Sequence, residues 1–398
     1  MSRIDDLINE LCPDGVPHPA VWEVTYWDKR FNEVERSKQP EIRKYVYLLA
    51  SELRELRADG GDVKLLNTGG ADFGYTTREL AEDVSVDAEI VAIPWGGNPS
   101  VQYYKGRFVT ADNRIAVARN PNELDMRFFF HVLNSRLAEL RTYYRGAGIQ
   151  HPSMAKVLDM RIPLPPVQVQ SEISRILDSF EELEAELEAE LEAELEARRA
   201  QFDYFRNRLL CFEDSPHASN LKWAPLGEVA DLNWGDTNTT KAAYVSEGTG
   251  YPAFSASGQD GYLDHYDYDR EAVILSAIGA LAGKTWLASG KWSCIKNTIR
   301  FFSRNEAVVR TDFLYWITSM ENFWPRRGSA QPFIAKKDAD SVLVPIPDIS
   351  VQQEVASNLF ELEELISGRI ASLPAEIAAR RKQYEYYRDK LLTFRELA

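Results

Sequence analysis

The 398-residue sequence has few of the residue types on which metal sites and disulfide frameworks are built. It contains three cysteines and five histidines. Cys12, Cys211 and Cys294 are far apart, show no metal-ligand spacing and are odd in number, so we expect neither a zinc cluster nor a disulfide framework. This cysteine usage is typical of a reduced, cytoplasmic protein.

Long apolar runs are also absent. No stretch approaches the ~18 apolar residues of a membrane-spanning helix. The opening residues, MSRIDDLINELCPDG, lack the basic-then-apolar order of a signal peptide. We therefore expect no association with a membrane.

Catalytic motifs are missing as well. The sequence contains no G-x-G-x-x-G, G-x-x-x-x-G-K-[ST] or H-E-x-x-H pattern. The run 98–100 lacks the second proline and the aromatic residue of an amino-methyltransferase motif, and Asp59 with Asp62 and Lys64 fits a polar turn better than a nuclease site. We expect no catalytic residue, no metal and no cofactor in this chain, which indicates a binding or adaptor protein.

The formal net charge of -15 does not exclude a nucleic-acid ligand, because the acidic residues are concentrated. Residues 151–212 are rich in glutamate, whereas the larger blocks on either side are close to neutral. Either block can therefore present a basic face.

The strongest pattern is an internal repeat with an offset of 182 residues. IPLPPVQVQSEI (162–173) matches VPIPDISVQQEV (344–355), and ARRAQFDYFRNRLLCF (197–212) matches ARRKQYEYYRDKLLTF (379–394). The chain therefore consists of two copies of one unit: a variable block, a proline hinge and a helix.

After each hinge, apolar residues follow heptad spacing, from Val169 to Phe212 and from Val351 to Phe394. We expect two helices of about 44 residues, each ~66 Å long, with a break or a kink at Pro374. Each helix needs a partner for its apolar stripe, and pairing with one another in an antiparallel coiled coil satisfies both. Such a pair holds the two blocks apart around a pseudo-twofold axis.

Residues 182–197 repeat the tetrad ELEA four times. Glutamate, leucine and alanine are strong helix formers. Each unit added or removed changes the helix length by ~6 Å, so the tract is the adjustable part of a spacer.

We predict an α+β fold with two tandem globular domains separated by two long antiparallel coiled-coil helices. The predicted boundaries are 1–150 for the first domain, 151–212 for the hinge and central helix, 213–342 for the second domain and 343–398 for the second hinge and C-terminal helix.

Both variable blocks contain basic and amide side chains in glycine-flanked loops, and RGAGIQHPSMAK (145–156) resembles RGSAQPFIAK (327–336). Arginine and lysine contact phosphate or guanine, and asparagine and glutamine pair with adenine. The candidates for DNA contact are Tyr104, Lys105, Arg107, Asn113, Arg114 and Arg145 in the first block, and Ser257, Gln259, Tyr262, Lys284, Lys291, Lys296, Asn297, Arg326 and Arg327 in the second.

Aromatic residues near the helix ends are candidates for docking of a partner protein, with core packing as the alternative interpretation. They are Phe202, Tyr204, Phe205, Tyr384, Tyr386 and Tyr387.

The hinges and helix ends, together with LCPDGV (11–16), WAPLGEV (223–229) and NTIRFF (297–302), resemble a type I restriction-modification specificity subunit. The resemblance covers essentially the whole chain. The first block departs from it, because it lacks the LGE motif after Trp22 and inserts a charged stretch around residues 28–64.

This resemblance implies two target recognition domains, each reading one half of a bipartite DNA sequence. It implies that the helices set the spacer between the halves and dock two modification (methyltransferase) subunits. Those partners would bind S-adenosylmethionine, and restriction subunits would add ATP- and Mg-dependent cleavage, while the specificity chain itself catalyses nothing.

A second hypothesis is a coiled-coil interaction scaffold whose globular domains bind protein or sugar. A DNA-specificity chain should co-purify with a methyltransferase and genomic DNA, and a scaffold with neither. A self-sufficient nuclease or methyltransferase conflicts with the missing motifs.

Overall fold

The computed structural model describes residues 3–69, 72–212, 221–236 and 238–397, the side chains of 369–374 excepted. The chain forms two compact units, which we call unit 1 (Met1–Ala189 with Glu376–Ala398) and unit 2 (Glu190–Ala375). Each unit contains one globular block, the first part of one long helix and the last part of the other.

Unit 1 contains, within the described residues, the last part of the long C-terminal helix α11 (Ile349–Leu392) and seven further α-helices or parts of them. They are α1 (Arg3–Leu11), α2 (Val21–Val24), α3 (Ala50–Glu55), α4 (Met126–Ser135), α5 (Leu137–Thr142), α6 (Met154–Asp159) and the first part of α7 (Val167–Leu210). Its strands are β1 (Thr25–Trp27), β2 (Val63–Leu66), β3 (Tyr75–Thr76), β4 (Val86–Pro94), β5 (Gln102–Thr110), β6 (Asn113–Ala118), β7 (Tyr144–Arg145) and β8 (His151–Pro152).

The main sheet of unit 1 has the order β1-β6-β4-β5-β2-β3 and is antiparallel except for the parallel pair β2 and β5. The second half of the central strand β4, from Ile90, is apolar and buried on both faces, as expected where each face is covered. Val91 and Ile93 belong to the core that includes Phe129 of α4, and Ile90 packs on the other side with Phe108.

Unit 2 contains the last part of α7, α8 (Leu226–Val229), α9 (Thr311–Thr318), α10 (Lys336–Ser341) and the first part of α11 (Ile349–Leu392). Its strands are β9 (Lys222–Pro225), β10 (Ala230–Trp234), β11 (Tyr251–Ser255), β12 (Gly258–Leu263), β13 (Tyr268–Asp269), β14 (Ala272–Ser276), β15 (Thr285–Ala288), β16 (Lys291–Cys294), β17 (Thr298–Ser303) and β18 (Leu343–Ile346).

Unit 2 has two four-stranded sheets, β10-β17-β14-β15 and β12-β11-β16-β13, and a two-stranded sheet of β9 and β18. All five residues of β14 are buried. Val273 and Leu275 pack in the core that includes Phe313 of α9, whereas Ile274 packs with Trp292. As in unit 1, a helix covers one face of the central sheet.

A buried glutamine in the first hinge joins the block of unit 1 to α7. The Gln170 Nε2 donates to the backbone oxygens of Glu123 and Pro165, both at 2.7 Å, and its Oε1 accepts from the backbone N–H of Asp125 at 2.9 Å. Asp125 is the N-cap of α4. The amide therefore ties the first turn of α7 to the start of α4.

Gln352, at the equivalent place in the repeat, makes the same three bonds in unit 2. Its Nε2 donates to the backbone oxygens of Val308 (3.0 Å) and Pro347 (2.8 Å), and its Oε1 accepts from the backbone N–H of Arg310 (2.9 Å). Arg310 is the N-cap of α9. The hinge motif thus encodes one joint, used twice.

The helices α7 and α11 each span 44 residues, as the heptad spacing predicts. The break predicted at Pro374 is wrong, because α11 runs through this position, and the alternative of a kink stays a prediction; the proline side chain lies outside the described residues. A proline removes one backbone hydrogen bond, and the alanine-rich sequence that follows favours the helix. None of the helices in the described ranges combines the length and apolar composition that a bilayer crossing requires.

Candidate nucleic-acid interface

In unit 2, two parallel strands bring polar turns to one edge. Phe254 of β11 lies opposite Cys294 of β16 in parallel register, so the residues that follow the two strands emerge at the same end. Ser257 and the turn Lys296–Asn297 meet there and line an open cavity of about 380 Å³. Asn297 has a φ of +70°, which asparagine adopts more readily than most residues.

Lys241 and Ser255 also line this cavity, and both are held by one carboxylate. Asp260 accepts hydrogen bonds from Lys241 Nζ at 2.5 Å, Ser255 Oγ at 2.6 Å and the Tyr244 hydroxyl at 2.8 Å. Burial acts to raise the pKa of Asp260, but the hydrogen bonds outweigh it and hold the pKa below its usual value. Lys241 is thus compensated locally, and Lys296 supplies exposed positive charge.

A basic loop extends the same edge. The Ala277 N–H donates to the Asn297 carbonyl (3.0 Å), and the Ala277 carbonyl accepts from the Ile334 N–H (2.8 Å). Gly283 has a φ of +95°, and a Cβ there would lie 2.9 Å from Arg326 Nε, so glycine lets the guanidinium rest on the backbone. Exposed cations along this edge are Lys284, Lys296 and Arg326.

The other DNA-contact candidates of unit 2 either lie away from this edge or form an ion pair with another residue. Lys291 begins β16, at the opposite end of the strand from Lys296, and Tyr262 lies on β12 away from its turn. Gln259 is exposed directly after that turn. Arg327 forms a 2.6 Å ion pair with Asp338.

Unit 1 has an equivalent edge at the end of β4. His151 Nδ1 lies 2.7 Å from the Trp95 carbonyl, and the Gly97 N–H donates to the Gln150 carbonyl at 3.0 Å. Through these contacts the loop after β7 lies against the end of β4, as the Arg326 loop lies against the end of β14. Arg145, the last residue of β7 before this loop, is exposed.

The DNA contacts predicted for Asn113 and Arg114 require correction, because both side chains are buried. Arg114 is 1% exposed and pairs with Asp112 at 2.6 Å and Asp28 at 3.1 Å. Its guanidinium lies 4.4 Å from the centre of the Trp95 ring. Burial raises the pKa of Asp28 above its usual value, although Arg114 opposes the shift. Asn113 and Arg114 therefore stabilise the fold beneath this edge and are not part of its surface.

Tyr104, Lys105 and Arg107 lie along the central strand β5. Lys105 pairs with Glu89 at 3.1 Å, Arg107 donates to the Ser85 hydroxyl at 3.3 Å, and the Tyr104 ring packs within the unit. The structure places Lys105 at a separate cavity of about 420 Å³ near the starts of α4 and α7. Their roles in DNA contact stay predictions.

The candidate docking residues occupy equivalent places in both helices. The inner positions, Phe202 and Tyr384, are half-buried. Tyr204 and Tyr386 are 57% and 65% exposed, and Phe205 and Tyr387 are each 39% exposed. Each helix end therefore presents a pair of exposed aromatic rings, in addition to a ring that packs inward.

Sequence reasoning missed Lys29 and Trp95 at the edge of unit 1. Lys29 Nζ lies 5.6 Å from the centre of the Trp95 ring. The glycines that follow Trp95 could have indicated this residue, because they resemble the glycine-flanked loops from which the other candidates were selected. Lys29 had no signal, because it lies far from Trp95 in the sequence.

Metal ligands are not gathered in the part of the chain that the structure describes: no group of three or more His, Cys, Asp or Glu side chains is placed to hold an ion. Cys12, Cys211 and Cys294 are free thiols. Burial raises the pKa of Cys294 to about 11, so this thiol is protonated at neutral pH.

The family model described as "Type I restriction modification DNA specificity domain" matches the sequence twice, at residues 52–197 and 219–377. The two matches together cover most of the chain, one in each half of the repeat.

Named proteins agree with the family model. A Haemophilus influenzae protein that bears the name of a type I restriction enzyme specificity subunit is 28% identical over 345 residues, which are 81% of this chain and 84% of that protein. The specificity subunit of the Escherichia coli type I restriction enzyme EcoR124I/EcoR124II is 30% identical over 310 residues, 71% of this chain and 74% of its own length.

A solved structure that concerns complex assembly and conformational transition of the type I R-M system contains a chain of similar fold. That chain matches with a TM-score of 0.60 at 17% identity, over 78% of this chain and 83% of its own length.

Proposed function

Because this chain belongs to the family of type I restriction-modification DNA specificity proteins, we propose that it is the subunit that reads DNA sequence in a type I restriction-modification complex. Each unit reads one half of a bipartite duplex target, and the chemistry is left to other subunits. The alternative of a protein- or sugar-binding scaffold receives no support from the comparisons.

The observation that carries this proposal is the repetition of one basic edge in both units. The loop that follows Arg145 lies against the end of β4, and the loop with Arg326 lies against the end of β14. Cationic loops contact phosphates and guanine edges. A DNA target in two parts requires two such DNA-contacting edges, one for each half.

We infer that α7 and α11 pair as an antiparallel coiled coil, and contacts inside unit 1 support this. The Phe180 ring stacks on Tyr387 with 6.2 Å between centres, and Arg381 pairs with Glu184 at 3.1 Å and with Glu188. As residue numbers rise along α7, those of their partners fall along α11. This is the order that antiparallel helices produce.

The paired helices then set the number of unspecified base pairs between the two half-sites. Deleting one ELEA unit shortens α7 by ~6 Å, which compares with 3.4 Å per base pair. We expect the methylated target to lose one or two base pairs from its gap, as read by methylation sequencing. An unaltered gap would show that the helix length does not set the spacer.

Two modification (methyltransferase) subunits and restriction subunits are the proposed protein partners. The exposed ring pairs Tyr204–Phe205 and Tyr386–Tyr387, one at each helix end, provide two equivalent docking places. S-adenosylmethionine would bind to the modification subunits, and ATP and Mg to the restriction subunits. A complex that reads chromosomal DNA works in the cytoplasm.

Methylation sequencing of the source cell with and without this gene tests the function directly. We expect one bipartite adenine-methylation motif to disappear with the gene, and an identical methylation pattern would contradict the proposal.

Charge removal tests the edge of unit 2. Replacing Arg326 and Arg327 by glutamine should weaken binding to the motif and flatten its salt dependence, whereas Lys382→Gln on α11 should not. Unchanged binding would reject this edge as the DNA contact.

A further inference from the structure

An apolar ridge stands exposed on unit 1, next to its proposed reading edge. Val46, Tyr47 and Leu49, which we call the apolar ridge, are 54%, 55% and 64% exposed. Three large apolar side chains within four residues are costly to leave in water. They belong to the charged stretch around residues 28–64, in which the first block departs from the family resemblance.

Neighbouring residues anchor the ridge to the unit. The Leu48 N–H donates to the Thr110 carbonyl at 3.0 Å, and the Leu48 side chain packs into a core of the unit. Tyr45 points inward onto Phe108, with ring centres 5.8 Å apart. Because the residues between and beside these anchors turn outward, their exposure follows from the backbone path.

Two lysines lie beside the ridge. Lys29 Nζ lies 5.9 Å from the Tyr47 ring and 5.6 Å from the Trp95 ring, and so connects the ridge to the edge that carries Arg145. Lys44 is exposed beside Val46. Acids also lie beside the ridge: Asp112 is engaged by Arg114 at 2.6 Å and lies 3.8 Å from Lys29, and Glu52 accepts a hydrogen bond from the Leu49 N–H at 2.7 Å.

We propose that the apolar ridge contacts duplex DNA in the half-site of unit 1, with Tyr47 and its neighbours wedged against a base step and the lysines on the flanking phosphates. Apolar side chains beside cations are the combination that unstacks and bends a duplex. A protein partner would cover the ridge without needing the lysines. The inference rests on the proposed DNA-reading function and adds a distinct contact to it.

The test uses the full chain assembled with its modification subunits and a duplex that carries its own methylated motif. 2-Aminopurine is placed in turn in each half-site, and affinity is measured by fluorescence anisotropy over a range of salt. The variants are Tyr47→Ala, Tyr47→Ala with Leu49→Ser, and Lys44→Gln. Leu80→Ser, an equally exposed apolar position of unit 1, is the matched control.

We expect the wild type to raise 2-aminopurine fluorescence in one half-site. Tyr47→Ala should abolish this rise and weaken binding about tenfold without changing the salt slope. Lys44→Gln should lower the slope by about one, and Leu80→Ser should behave as the wild type.

Unchanged affinity and fluorescence in Tyr47→Ala would overturn the inference while leaving the specificity function intact. Loss of the modification subunits from the double variant, with DNA contact unaffected, would assign the ridge to a protein partner and overturn it too. If the wild type does not distinguish its motif from a shuffled duplex, the proposed function is wrong. The inference rests on that function and is then wrong as well.

Discussion

The joint between globular block and helices is built from charged groups in unit 1 and from aromatic rings in unit 2. In unit 1, His131 Nε2 lies 2.7 Å from Asp178 Oδ1, and Arg127 donates to the same oxygen at 2.7 Å. The Tyr384 hydroxyl donates to Glu181 at 3.2 Å. The network connects α4, α7 and α11 within this unit.

Unit 2 fills the equivalent positions with rings. Trp316 stands six residues after its helix N-cap, as His131 does, and its ring centre lies 5.1 Å from Phe360 and 6.1 Å from Phe202. By the 182-residue offset, Phe360 corresponds to Asp178 and Phe202 to Tyr384.

The comparison shows which part of the joint tolerates change. The hinge glutamine satisfies backbone groups, whose positions are common to both units, and it is retained in both copies. His131 and Trp316 contact other side chains of the joint, so a charged set and an apolar set can serve equally if each is complete. The two joints should therefore fail in different ways.

Trp316→Ala should give the largest loss. Removing a buried indole leaves a cavity in an apolar cluster and should lower the free energy of unfolding by about 3–5 kcal/mol. Urea unfolding of the full chain measures this, with Trp223→Ala, at a 51% exposed position of unit 2, as the control. Equal losses in the two variants would contradict an aromatic joint.

Gln170→Leu and Gln352→Leu should come next and should match one another. Each change leaves a buried backbone N–H and two carbonyl groups without their partner, at a cost of about 1–3 kcal/mol. The exposed neighbours Gln168 and Gln353 provide controls as leucine variants. A loss confined to one unit would show that the hinge joint is not shared.

Acid should weaken unit 1 selectively. Burial lowers the pKa of His131 below its ordinary 6.5, with Arg127 acting in the same direction and Asp178 and Glu181 opposing them. The unfolded chain therefore binds a proton first as the pH falls below about 6.5, so stability is complete above that pH and declines beneath it.

Thermal unfolding at pH 7.5 and 5.5 measures this effect. The wild type should lose more than His131→Gln on acidification, and His18→Gln should follow the wild type. An identical decline of the melting temperature in the wild type and His131→Gln would show that His131 does not cause the loss of stability in acid.

Arg381→Gln should have the smallest effect. Its ion pairs with Glu184 and Glu188 are solvent-exposed, and such pairs contribute little and are screened by salt. A slight fall in melting temperature at low salt that vanishes at high salt is expected, with Arg380→Gln as control. A large fall at high salt would show that Arg381 has a packing role.

Much of the organisation was predictable, and part of the interface was not. The repeat, the proline hinges and both helices depend on local sequence, and the structure has them. Ser257, Lys296 and Asn297 were selected for residue type and do meet at one edge. Asn113 and Arg114 were selected on the same grounds and are buried, because Asp28, 86 residues from Arg114 in the chain, turns toward it.

The sequence by itself determined the doubling of the chain, the helix spans and the hinge glutamines. Repetition is visible directly in the order of residues, and periodicity and proline stereochemistry act between near neighbours. Only the tertiary structure decided which cations reach the surface, which carboxylates neutralise them and how each joint is filled. Those outcomes depend on contacts between distant segments, whose pairing no local pattern specifies.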